Sequence, residues 1–323
     1  MKPLATSTPR TIVFVGATSG LGRASALQLA AAGHRLILVG RDARRGASLV
    51  QQISSRTPAS PATRPPAFLA GDVSTRAGIE AVVSRIRDET DAVDTLVNNA
   101  GVMVPRRTLT AEGMELNFAV HHLAPFTMTA LLLPLLARGA GRVVNTNSEG
   151  HRAPLFGAGD VRLDFDDLQS NRGYSTYLAY SRSKLANLLF TLEFHRRLPA
   201  FETVAVHPGM VRTRLVRSMH RPGFWLLSTA TRWMLSSPAK GGEPLTELAT
   251  APAVRNGEYY NRSRPVAPSP HAHDREAAER LWQATEALRG PFPAKTARPR
   301  RDSSPPAGNP LPADNPLPTG PPV

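Results

Sequence analysis

The chain has 323 residues, 39 Lys plus Arg against 25 Asp plus Glu, a formal charge of +14, and no cysteine. Without cysteine, disulfides, thiolate zinc sites, iron–sulfur clusters and cysteine nucleophiles are all excluded. At 41% hydrophobic and 20% charged residues, the composition is that of a globular protein with a large core.

In chain order, residues 1–9 read as a flexible N-terminus, since no apolar stretch with a small-residue cleavage site follows Lys2. The apolar run Ile12–Val15 is a strand, and it feeds Gly16-Ala17-Thr18-Ser19-Gly20-Leu21-Gly22 ahead of the helical period of Leu21–Ala32. Gly16 permits a tight turn, and Gly20 and Gly22 let backbone approach a pyrophosphate at a helix N-terminus. The spacing is G-x-x-x-G-x-G rather than G-x-G-x-x-G. Alternation continues with Leu36–Val39 and Arg44–Ser55, Phe68–Ala70 and Arg76–Glu89, and Thr95–Val97 and Met114–Leu136. Arg142–Asn145, Thr176–Leu198 and Thr203–Val206 follow. Continuous apolar strands separated by helices predict a parallel sheet covered on both faces. The expectation is one Rossmann-type, doubly wound α/β domain over residues 10–290, with ligands beyond the carboxyl ends of the strands.

Between strand and helix, Thr57–Pro66 is proline-rich and reads as a surface loop. Met128–Leu136 is the most apolar stretch, short of the ~20 residues that span a bilayer, so no transmembrane segment and a cytoplasmic location are expected. Residues 291–323 hold eleven of the thirty prolines and read as a disordered tail or a proline-rich ligand for a partner.

The strand ends carry the chemistry. After the second strand, Val39-Gly40-Arg41-Asp42 has arginine where an acidic residue would hold an NAD ribose. Arg41 can pair a 2′-phosphate, with Arg23 a second candidate, so NADP(H) is favoured and NAD(H) stays open; both arginines could equally be solvated. Asp72-Val73 reads as an adenine contact or as a helix cap. Asn98-Asn99-Ala100-Gly101 closes the fourth strand where a ligand crevice would lie. Tyr180 and Lys184, at i and i+4, share a helix face, and a nearby ammonium is expected to lower the phenol pKa. A tyrosine so tuned can exchange a proton with an alcohol oxygen that Ser148 orients.

Gly16/Gly20/Gly22, Asn98-Asn99-Ala100-Gly101, Asn117, Ser148, Tyr180/Lys184 and Pro208-Gly209 resemble the short-chain dehydrogenase/reductase family in order and spacing. The runs Arg142–Asn145, Asp167–Gln169, Ala179–Asn187, Val206–Gly209, Tyr259-Tyr260 and Ala278–Trp282 are similar to its retinol dehydrogenase-like and WW-domain oxidoreductase-like branch. The resemblance implies that Tyr180 is the general acid/base and that Lys184 tunes it and bonds the nicotinamide ribose. It implies that Ser148 steadies the substrate oxygen and Asn117 holds a relay water. Gly16, Gly20 and Gly22 would cradle the pyrophosphate, with Ser19 and Leu21 also binding the cofactor. Asp72, Asn98 and Lys184 would line the adenine and ribose, Pro208 and Gly209 would abut the nicotinamide, and Val73, Ala100 and Gly101 would also contact the cofactor. Tyr174 and Tyr177 are expected to line or pack. The chain departs from the family in having Val15 before the first glycine and Thr146-Asn147-Ser148 in place of two serines. Glu149 is expected to set a carboxylate beside the substrate oxygen.

Residues 211–238 carry Phe224, Trp225, Leu226 and Trp233 among arginines and read as an apolar lid or an interfacial membrane contact. The expected substrate is a small lipophilic carbonyl or alcohol, the expected assembly a homo-oligomer, and no metal is expected. A non-catalytic NADP(H) sensor on the same fold is the alternative. Nucleic-acid binding, suggested by the charge, lacks a reading module. Only Lys2, Lys184, Lys240 and Lys295 are lysines, and the arginine surplus is attributed largely to composition.

Overall fold

The computed structural model describes residues 8–56, 64–152, 160–211 and 236–293. Most of the expected loop at 57–66, lid at 211–238 and tail at 291–323 therefore lies outside the described residues. The first half runs β1 (Thr11–Val15), α1 (Gly20–Ala31), β2 (Arg35–Gly40), α2 (Ala43–Arg56), β3 (Ala67–Ala70), α3 (Arg76–Glu89) and β4 (Thr95–Asn98). Next, α4 (Leu116–Phe118), a π-helical turn (Ala119–Leu123) and α5 (Ala124–Arg138) form one continuous helix. β5 (Arg142–Thr146), a 3-10 turn (Glu149–His151), α6 (Thr176–Arg197) and β6 (Glu202–His207) follow. The chain continues through α7 (Pro238–Thr250), β7 (Glu258–Asn261), β8 (Arg264–Pro265) and α8 (Arg275–Arg289).

The sheet order is β3-β2-β1-β4-β5-β6-β7-β8, parallel except for the last pair. This corrects the expected all-parallel sheet of six strands. Only Arg262 and Ser263 separate β7 from β8, so the chain turns back on itself and pairs antiparallel. Alternation along the strands divides the core. Val13, Val15, Ile37, Val39 and Val143 face α3 and α5, while Ile12, Phe14, Leu38, Val144 and Val204 face α1, α2 and α7. Both sets are buried, which is why these strands read as unbroken apolar runs.

The α4–α5 helix is long and apolar enough to cross a bilayer, but 89% of its apolar window is buried inside the fold. It serves as a core helix. Against it, Phe126 meets Phe292 at 5.0 Å between ring centres, and Trp282 meets Phe292 at 4.9 Å. Phe292 is buried, so the packed part of the chain passes the expected boundary at 290.

Arginines close helix ends. Arg10 donates to the carbonyls of Ala249 and Ala251, and the fully buried Arg142 donates to those of Leu248 and Ala251. Arg142 also pairs with Glu202 at 2.6 Å. Arg35 and Arg64 both reach the Glu89 carbonyl at the end of α3. Cations placed on unsatisfied C-terminal carbonyls oppose the helix dipole favourably. Part of the positive charge is thus structural, which composition alone does not account for.

Candidate active site

The order reverses between β1 and β4, so the β1–α1 turn opens onto the crevice that such folds use for ligands. Gly16 has φ +89°, and a Cβ there would stand 2.6 Å from the Ala100 nitrogen. A Cβ on Gly22 would meet the Gly16 carbonyl at 2.1 Å, so Gly22 is fixed by helix–turn packing. Asn99 Nδ2 donates to that same carbonyl at 3.0 Å, and Asn99 Oδ1 accepts from Thr146 Oγ1 at 3.3 Å. The β4 loop therefore braces the glycine turn. Ser19 caps α1 with no side-chain hydrogen bond, and the first turn holds no acid, which leaves its amides for an anion. Ser19 is exposed and Leu21 buried.

Arg41 is exposed at the end of β2, next to Gly40, whose missing Cβ leaves room for Thr18. Asp72 is exposed and accepts from the Ser74 N–H at 2.9 Å, while Thr75 is the cap of α3. Val73 is buried, Ala100 is half-buried and Gly101 is exposed. The Asn98 side chain donates to Asn145 Oδ1 at 2.9 Å inside the core. Of the residues assigned to the ribose and adenine, Asn98 therefore holds the sheet together. Pro208 and Gly209 follow β6, with Gly209 at φ +88° beneath the Arg262 side chain.

Ser148, Tyr180 and Lys184 come together. The Ser148 hydroxyl accepts from the Gly150 N–H at 3.1 Å and closes on the same glycine as the Tyr180 ring, since a Cβ there would meet Ser148 Oγ at 3.4 Å. A Cβ on Gly150 would sit 3.2 Å from the Tyr180 ring, so glycine lets the ring close on this turn. Lys184 Nζ lies 5.7 Å from the centre of the Tyr180 ring and donates to the Thr146 carbonyl at 3.0 Å. Burial raises the Tyr180 phenol, offset in part by the Ser148 hydroxyl. Burial likewise pulls Lys184 down to about 7. The expected lowering of the phenol by an adjacent ammonium is not found here. Desolvation outweighs it, and both groups are driven toward their neutral forms.

Asn117 has a buried Oδ1 that meets no hydrogen-bond donor among the described residues. It is fully buried, and its Nδ2 donates to Glu115 Oε1 at 2.7 Å and to the Tyr174 hydroxyl at 3.2 Å. His121 stands next to Tyr180, edge-on to its ring with centres 5.4 Å apart. His121 Nε2 accepts the Val102 N–H at 3.1 Å, which puts the proton on Nδ1, facing Ser183 Oγ at 2.8 Å. Ser183 in turn donates to the Tyr180 carbonyl at 2.6 Å. Burial, reinforced by the Lys184 charge, holds His121 well below its ordinary pKa, as an acceptor at Nε2 requires. Pro125 has no N–H to give the His121 carbonyl one α-turn back, and Asn187 Nδ2 takes it at 2.8 Å. The π-helical turn around His121 is the kind of irregularity that gathers at functional sites. The adjacent proline was the available sequence signal.

Glu149 also departs from expectation. Its carboxylate accepts from Tyr259 at 2.7 Å, Asn261 at 3.2 Å and Arg152 at 2.7 Å, which commits it to β7 rather than to the substrate oxygen. Burial alone would raise it, but the hydrogen bonds from Tyr259 and Arg152 hold it below its ordinary range. Behind it, burial draws His207 down to about 4.

The family profile described as short chain dehydrogenase matches residues 10–159. The chain is 39% identical over 286 residues to "Putative daunorubicin C-13 ketoreductase DnrU" of Streptomyces sp. (strain C5), covering 87% of this chain and 93% of that protein. It is 36% identical over 305 residues to retinol dehydrogenase 13 of Homo sapiens, covering 88% and 86% respectively. A crystal structure of an uncharacterized protein from Mycobacterium paratuberculosis superposes with a TM-score of 0.68 at 31% identity, covering 88% of this chain and 95% of that one. With the glycine turn at the switch point and Ser148, Tyr180 and Lys184 gathered beside it, these matches establish that the chain belongs to the short-chain dehydrogenase/reductase family, as an oxidoreductase acting on CH–OH groups.

Proposed function

We propose that the protein is an NADP(H)-dependent oxidoreductase that interconverts a carbonyl and an alcohol on a lipophilic substrate, with Tyr180 as general acid and base. The observation that carries this reading is that Ser148 Oγ and the Tyr180 ring close on one glycine, a Cβ on Gly150 standing 3.4 and 3.2 Å from them, with Lys184 one turn further along α6. The family binds NAD(P). The residues here fit that group: the α1 N-terminus is free of acids and of a side-chain cap, and a Cβ at Gly16 or Gly22 would fill the turn. When bound, the nicotinamide supplies or accepts the hydride. Arg41 answers the 2′-phosphate that separates NADP from NAD. Burial keeps the Tyr180 phenol protonated at neutral pH, which suits it to give a proton to a carbonyl oxygen during reduction. Ser148 holds that oxygen in line, and Lys184 supports the phenolate formed as the proton leaves.

The substrate class rests on the relatives' names. Retinol is a polyene alcohol and the C-13 centre of daunorubicin a ketone on a polycyclic frame, and the aromatic residues of the 211–238 segment suit such partners. The test is NADPH consumption by the purified chain against a panel of lipophilic aldehydes and ketones, with the matching alcohols run in reverse. Turnover on polycyclic or polyene members, with NADPH preferred over NADH, is the expected result. Turnover confined to small polar carbonyls would overturn the substrate class, and an NADH preference would overturn the cofactor assignment.

A further inference from the structure

Between Thr146 and Ser148 stands an asparagine whose side chain bonds in three directions. Asn147 Oδ1 accepts the Ser148 N–H at 2.8 Å, while Nδ2 donates to the Lys184 carbonyl at 3.0 Å and to Asn187 Oδ1 at 2.8 Å. One donor and two acceptors surround the amide, so its orientation is fixed by its partners. Its backbone N–H is also engaged, by the Val206 carbonyl at 2.7 Å. Asn147 and Asn187 are both buried, and Asn187 passes the connection on to the His121 carbonyl. Ser148 rides on the turn after β5, and Tyr180 and Lys184 ride on α6. The pairing of Ser148 with Tyr180 at Gly150 therefore spans two elements, and Asn147 ties those same elements one residue upstream.

We propose that Asn147 is a positioning residue: by joining Ser148 N to the Lys184 carbonyl and to Asn187, it holds the Ser148 hydroxyl in register with the Tyr180 phenol. The proposal rests on the acid–base reading of Tyr180 given above. Buried amide bonds of this kind exchange poorly for water, so their loss lets the turn after β5 shift against α6. A displacement of that sort is costly to proton transfer while leaving the glycine turn, and thus cofactor binding, in place. A further consequence follows from the Ser148 hydroxyl, which holds the phenol pKa down. Moving it away shifts the pH midpoint of alcohol oxidation upward.

The experiment is a double-mutant cycle in the full chain with Asn147→Ala, Ser148→Ala and the double variant, alongside Tyr180→Phe. The readouts are kcat, the pH midpoint of alcohol oxidation, and NADPH affinity by fluorescence. N147A is expected to lower kcat about tenfold or more, with the NADPH Kd within about twofold of wild type. Its pH midpoint should move up, in the direction of S148A, and the double variant should fall no lower than S148A alone, because one residue acts through the other. An unmoved midpoint, or losses that multiply in the double variant, would overturn the proposal. If N147A does not fold, Asn187→Ala replaces it in the same cycle, since it removes one of the two acceptors while keeping the Ser148 contact. An inactive Y180F beside an unimpaired N147A sinks the Asn147 proposal alone. A fully active Y180F sinks the acid–base reading and this proposal with it.

Discussion

Lys184 Nζ donates to the Thr146 carbonyl at 3.0 Å, and burial alone draws its pKa to about 7. The free protein thus holds a lysine that gives up its proton far below the ordinary value of 10.5. Between those two values the unfolded chain binds a proton that the folded chain does not, so stability rises with pH across the window and is lowest below it. Lys184→Met removes the buried ammonium. It should flatten the stability profile between pH 7 and 10 and raise the melting temperature at pH 7, while turnover falls at least about 100-fold. Thermal unfolding across that pH range, wild type against variant, is the measurement.

His121 joins the Val102 amide of the β4 loop to Ser183 of α6, beside the Tyr180 ring. His121→Ala leaves the part-buried Val102 N–H without its acceptor and opens a cavity, a loss of about 2–4 kcal/mol by the usual costs of each. Because the β4 loop braces the glycine turn, NADPH affinity should fall as well. Chemical denaturation checks the first effect and NADPH titration the second. The same experiments on Asn117→Ala should show a loss of stability with little change in NADPH affinity, since its partners are Glu115 and Tyr174.

Arg41→Ala should reduce the preference for NADPH over NADH by about 10- to 100-fold, the worth of a charge-assisted pair with phosphate. Comparing kcat/KM for the two cofactors reads this directly, and NADH values should stay near wild type.

The strands from Ile12 to Val206 were legible because a sheet buried on both faces writes itself as apolar runs, and the helices between them carried their own period. Ser148, Tyr180 and Lys184 were legible from motif order. α7 was not, because Pro244, Gly241 and Gly242 are poor helix formers. The structure gives their reason: a Cβ on Gly241 would meet Val211 at 2.4 Å and one on Gly242 would meet Ser25 Oγ at 2.9 Å, so the helix is made by close packing on α1. β8 is two residues long and has no period to read. His121 was missed since a histidine in an apolar helix reads as core. Asn98 was given to the cofactor on the family resemblance, and its side-chain pairing with Asn145 across the sheet is a tertiary contact that the motif does not encode. The direction of the Tyr180 and Lys184 shifts depends on depth of burial, a tertiary property that a four-residue spacing does not encode.

Tyr180 as the proton-transfer group is tested most directly by single-turnover reduction of a lipophilic ketone by NADPH-loaded Tyr180→Phe. NADPH affinity should stay within about twofold of wild type while the rate falls by roughly 100- to 10,000-fold, the span that general acid catalysis supplies. A Y180F rate within tenfold of wild type, with cofactor bound, would contradict the account.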